Sequence, residues 1–141
     1  MTWRYGFRVS GSGFRVEQAG NIPYYIQLLA AEVWQYLVSS SQDVNAETIA
    51  LCAEQIVDLK NDYYFELFDR QSNYQKKLLK SIMISGENLF SAEYARRFRL
   101  SATSTTQKAI SGLVESGVIE KVEGDYFIAD PFFKRFILHY A

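Results

Sequence analysis

The stretch from Ser104 to Ala129 constrains the fold more than any other. A helix-period run closes at Gly117, and two short runs follow it, Val118-Ile119-Glu120-Lys121-Val122 and Tyr126-Phe127-Ile128-Ala129. Both are rich in β-branched or aromatic residues, and the Glu123-Gly124-Asp125 between them is a tight-turn sequence. Asp130-Pro131 breaks the second run, and a largely apolar helix, Phe132 to Tyr140, is expected after it.

Upstream of the hairpin the pattern is helical. Ser72-Asn73-Tyr74-Gln75 fits a capping box, with Leu78, Leu79, Ile82 and Met83 facing a core and Gly86 just beyond the helix end. A short helix is expected from about Ser91 to Phe98, burying Tyr94, Ala95 and Phe98, with a turn at Leu100-Ser101-Ala102. Ser104-Thr105-Thr106-Gln107 offers a second capping box for a third helix. Three helices followed by a two-stranded hairpin is the element order of a winged helix-turn-helix, in which the third helix reads the groove and the hairpin is the wing. The expected fold is therefore mainly α, with a winged helix at residues 69–141.

A small helical segment, residues 19–68, precedes it. Pro23 suits the first turn of a helix, and Ile26, Leu29, Ala30, Val33 and Leu37 share one face until Ser39-Ser40-Ser41. Asn45 can cap a second helix striped by Ile49, Cys52, Ala53, Ile56 and Lys60. The aromatic run Tyr63 to Phe68 reads as a helical turn or two docked on its neighbours. Residues 1–18 alternate weakly around Gly6, Gly11 and Gly13, which weakens any strand, and are expected to be loosely held.

Composition excludes several classes. The chain of 141 residues is 48% hydrophobic, which argues for a folded domain, and holds no apolar run long enough to span a membrane. The first residues do not read as a signal peptide. One cysteine, Cys52, and one histidine, His139, leave no internal disulfide and no metal cluster, and a cytoplasmic setting is expected. His139 sits among apolar residues near the chain end, a poor setting for a general base. No catalytic residue, metal ligand or cofactor site is assigned.

Two segments carry a family resemblance. Gly20-Asn21-Ile22-Pro23-Tyr24-Tyr25-Ile26-Gln27-Leu28-Leu29 resembles the GG-x-P-Y-Y-I-Q-L-L signature in the lid of archaeal-type AAA+ (STAND-like) ATPases. Gln75 through Leu79, Ser104 to Lys121, and Asp130-Pro131-Phe132-Phe133 resemble that family's Q-K-x-L-L, S-x-x-Q-x-A-L-x-x-L-x-x-x-G-(L/V)-I-E-K and D-P-F-F. The resemblance covers roughly residues 19–141. It implies the C-terminal part of a larger ATPase, lid helices then a winged helix, with Gly20 and Pro23 near the nucleotide of the parent protein and the missing nucleotide-binding domain as a partner. The phosphate-binding G-x-x-x-x-G-K-(S/T) and the acidic pair that would hold Mg²⁺ are absent, so this chain has no machinery for hydrolysis.

Charge bears on DNA. Residues 1–68 carry four basic and eight acidic side chains, a balance of −4; residues 69–141 carry eleven and eight, a balance of +3. On the third helix Thr106, Ile110, Leu113, Val114 and Gly117 are expected inward. Ser104, Thr105, Lys108, Ser111, Gly112 and Glu115 are expected outward, and the first, second, third and fourth of these could reach bases or phosphates. Arg96, Arg97 and Arg99, with Lys76, Lys77 and Lys80, could hold the backbone, and Lys121 is the one base of the wing. Against this stand Glu115, Glu120, Glu123 and Asp125, since phosphate affinity comes largely from counterion release. Weak, salt-sensitive DNA binding is the reading. The alternatives are a protein-contact or homo-oligomerising module using the aromatics of residues 3–14 and 63–68 and the last helix, and a free-standing transcription regulator.

Overall fold

The computed structural model describes residues 23–40 and 43–140. The expectations for residues 1–18, and for Gly20, lie outside the described residues. The chain divides into two compact units between Asp62 and Tyr63, whereas the sequence pattern suggests a change after Phe68.

The first unit is built on α1 (Pro23–Ser40) and α2 (Ala46–Leu59). Leu29, Ala30 and Val33 are the buried positions of α1, and Ile26 and Leu37 flank them half-buried. The Ser39 and Ser40 hydroxyls both donate to the Tyr36 carbonyl, at 3.1 and 2.6 Å, so side chains take up an acceptor that the ending helix leaves open. Asn45 caps α2: its Oδ1 accepts the Thr48 N–H at 2.9 Å, an arrangement worth about 1 kcal/mol. Ile49, Cys52, Ala53, Ile56 and Val57 are buried along one face of α2. Burial pushes the Cys52 thiol up to about 11, with the negative charge of Glu32 as a second cause.

The second unit contains α3 (Asn61–Asp69) apart from its first two residues, with α4 (Asn73–Ile84), α5 (Ala92–Phe98), α6 (Thr103–Glu115), the hairpin β1 (Ile119–Val122) and β2 (Asp125–Ile128), and α7 (Pro131–Tyr140). Ser72 and Gln75 form the full capping box on α4, and Ser91 caps α5. The expected core of α4 holds for Leu78, Leu79 and Ile82, while Met83 is half-buried. The strands pair antiparallel with Ile119 opposite Ile128 and Lys121 opposite Tyr126. Glu123 and Gly124 have φ of 52° and 89°, the left-handed pair that a two-residue hairpin loop needs to follow the strand twist.

Gly86 ties this hairpin to the helices. Its carbonyl accepts the Tyr126 N–H at 3.1 Å, and a Cβ on it would lie 1.7 Å from the Tyr126 carbonyl oxygen. The segment after α4 therefore runs against β2 backbone to backbone, which only glycine permits at this separation. The centre of the unit is aromatic. Tyr64 lies 5.5 Å from the Phe133 ring and 5.7 Å from that of Phe136, and all three are buried. Each such side chain contributes about 1.5–3 kcal/mol over its exposed state.

Candidate nucleic-acid interface

Residues Thr106, Ile110 and Leu113 of α6 are buried, and this fixes which side of the helix faces solvent. Tyr74 of α4 sets the start of α6. Its hydroxyl hydrogen-bonds Thr106 Oγ1 at 2.7 Å and accepts the Ser101 N–H at 3.1 Å. Gln75 works from the same helix in two directions. Its Oε1 accepts the Ser72 N–H at 3.0 Å within the capping box, and its Nε2 donates to the Ala109 carbonyl of α6 at 3.3 Å.

The structure of α6 corrects four expectations. The helix begins at Thr103 with Ala102 at the cap and no side-chain cap bond, so the box expected at Ser104 and Gln107 does not form. Ser104 is already helical, and a capping side chain must precede the first helical residue. Val114, expected inward, is 40% exposed: at about 100° per residue it falls at the margin of the stripe set by Thr106, Ile110 and Leu113. Gly117, also expected inward, is exposed past the helix end at φ 73°. Gly112, expected outward, is half-buried, and a Cβ there would approach Gln75 Nε2 to 3.0 Å.

Ser104, Thr105, Lys108 and Ser111 are all exposed. Ser104, Lys108 and Ser111 follow the i, i+4, i+7 spacing of one face, with Thr105 beside them. Arg96 and Arg97 occupy the last turn of α5, both exposed, and the Arg97 guanidinium sits 4.9 Å from the Phe98 ring centroid. Arg99 caps that helix in the left-handed conformation, φ 52° and ψ 50°, and opens the turn into α6.

The lysines of α4 are more committed. Lys76 Nζ lies 3.0 Å from Asp69 and over the Phe68 ring, where Lys80 also reaches, and Lys77 donates to the Arg99 carbonyl. Lys77 thus holds the left-handed residue between the second and third helices. Lys121 is on the wing, its Nζ 5.7 Å from the Tyr126 ring centroid, with Glu120, Glu123 and Asp125 around it in sequence. Pro23 is exposed at the start of α1, in the other unit. Sequence reading missed Tyr74, Gln75 and Lys77 as positioning residues, because each acts across the fold and no local spacing signals it. His139 lies exposed in the last turn of α7, against Tyr140.

Three packed helices, the third presenting an outward polar face, closed by a β-hairpin, define a winged helix-turn-helix. Residues 62–139, over half of the chain, match the family described as "Probable winged helix domain", and the chain belongs to that family. No curated protein and no solved structure matches it significantly. Winged helices are typically non-catalytic domains that bind DNA or protein. No described helix is long and apolar enough to cross a membrane.

Proposed function

We propose that this chain is a non-catalytic regulatory and binding module of a larger AAA+ ATPase, and that its winged helix meets DNA weakly through α6. One observation carries the DNA reading. Ser104, Thr105, Lys108 and Ser111 stand exposed on α6 with no side-chain hydrogen bond or ion pair among the described residues. The buried stripe of that helix is meanwhile anchored to α4. Short hydroxyls and one ammonium on a rigid helix suit phosphate contacts, and Arg96 and Arg99 extend the basic surface toward the preceding turn. The parent ATPase rests on the resemblance of residues 20–29 and 75–133 alone. A G-x-x-x-x-G-K-(S/T) encoded in the same reading frame upstream of Met1 would support it, and a frame without one would remove it.

The DNA reading is tested by fluorescence anisotropy of a labelled duplex at low ionic strength. Saturable binding that weakens steeply with added salt is expected. No change in anisotropy at tens of micromolar protein excludes it. A second reading, a protein-contact module, is favoured by the wing, where Glu120, Glu123 and Asp125 outnumber Lys121 and would repel a phosphate backbone.

A further inference from the structure

The wing and the segment following α4 enclose an open cleft of about 400 Å³, lined among others by Asn88, Phe90, Lys121, Glu123, Asp125 and Tyr126. Its charges are unevenly used. Lys121 is drawn over the Tyr126 ring, and neither Glu123 nor Asp125 has an ion-pair partner among the described residues. Phe90 is 38% exposed and meets Tyr126 edge to face at 5.9 Å. Tyr126 is only 6% exposed, yet its hydroxyl has no hydrogen-bond partner among the described residues. The Tyr126 phenol thus lines the cleft with its hydroxyl unbonded and open to solvent, a hydrogen-bonding group that a ligand entering the cleft can engage.

We infer that this cleft receives an arginine side chain of a partner protein. A guanidinium is planar and stacks on an aromatic face such as that of Phe90. It also presents a fork of N–H donors for the Glu123 and Asp125 carboxylates and for the phenolic oxygen of Tyr126, an acceptor as well as a donor. Lys121 over Tyr126 shows that the ring already accommodates a cation. A metal ion fits less well, because no group of three or more His, Cys, Asp or Glu gathers among the described residues. The inference is independent of DNA binding by α6. It gives the acidic wing a role that a phosphate backbone could not.

The test is a titration of the ¹⁵N-labelled full chain with N-acetyl-arginine methylamide, followed by amide chemical shifts. Shifts saturating in the millimolar range and confined to residues 88–91 and 121–126 are expected, weakening about threefold or more between low and physiological salt. The neutral N-acetyl-glutamine methylamide should move none of them. The double variant Glu123→Gln, Asp125→Asn should abolish the response while its remaining amides keep their wild-type positions. Tyr126→Phe should weaken it and leave the hairpin pairing intact, since the Tyr126 hydroxyl bonds nothing in the fold. Absence of shifts, shifts centred elsewhere, equal response to the glutamine probe, or an undiminished response in the double variant would each overturn the inference. None of these outcomes bears on duplex binding, which is read separately.

Discussion

Tyr64 Oη donates to Asp130 Oδ2 across 2.8 Å, joining positions 66 residues apart. The other carboxylate oxygen, Oδ1, accepts the N–H groups of Phe132 at 2.8 Å and Phe133 at 3.3 Å. One carboxylate thus caps α7 and holds it to α3, next to the packed rings of Phe133 and Phe136. Tyr64→Phe keeps the ring and removes the hydroxyl, so it should lower stability by about 1–2 kcal/mol. Asp130→Ala removes the cap as well and should cost more, about 2–3 kcal/mol. Urea unfolding followed by circular dichroism measures both. Equal stability of Tyr64→Phe and wild type would deny the bond its role.

Gly86→Ala tests the backbone contact between the segment after α4 and β2. The added methyl would stand 1.7 Å from the Tyr126 carbonyl oxygen, and backbone on both sides leaves nothing soft to yield. Crowding of this kind costs about 1–3 kcal/mol or more. The expected signature is a lower unfolding midpoint with chemical-shift changes spread along Asp125 to Ile128. A variant as stable as wild type would deny that close backbone packing between the two segments restricts position 86 to glycine.

Much of this architecture is legible in local sequence. The Ser72–Gln75 box, the Asn45 cap and the Glu123-Gly124 turn are each decided by residues within three or four positions of one another, so the chain states them outright. What is not legible depends on distant partners. Ser104 looks like a cap until Tyr74, 32 residues before Thr106, fixes where α6 begins. Asp130 reads as a strand breaker, and only the folded chain shows it receiving Tyr64. The outward residues of α6 could be named because a buried stripe at helical spacing defines its opposite face. The cleft beside the wing could not, since it joins a loop to a hairpin through Phe90 and Tyr126.

Cys52 gives the first unit a signature at high pH. Its thiol is raised from 9.0 to about 11 in the folded chain, mainly by burial. The unfolded chain therefore loses this proton first as pH rises. Stability should be level below the unfolded value and then decline between roughly pH 9 and 11. Tyr94, raised by its own burial, acts with the same sign in the second unit. Unfolding midpoints compared at about pH 8 and about pH 10.5 should fall in wild type and fall less in Cys52→Ala. A Cys52→Ala slope as steep as wild type would assign the loss to other groups.

Duplex binding by α6 makes a quantitative claim about salt. If Lys108 neutralises one phosphate, Lys108→Ala should reduce the magnitude of the salt slope by about 0.9, and Arg96→Ala by a similar amount. Both side chains are exposed and neither supports the core, so stability should be unchanged. Ser111→Ala should weaken binding without altering the slope, because a hydroxyl releases no counterion. Identical slopes for wild type and Lys108→Ala would move the DNA contact away from α6.

Glu123→Asn separates the fold of the wing from its charge. Glu123 holds φ 52° before Gly124 at 89°, and asparagine tolerates the left-handed region better than glutamate does. Asn-Gly is also the preferred pair for a two-residue hairpin loop. The substitution should therefore stabilise the chain slightly, by about 0.5 kcal/mol, in keeping with gains from locally consistent turn chemistry. It also removes one negative charge from the wing. If the wing lies near phosphate in the duplex complex, affinity at low salt should rise, and the gain should shrink as salt screens the field. A stabilised variant with unchanged duplex affinity would place the wing away from the DNA, leaving its carboxylates free for a protein cation.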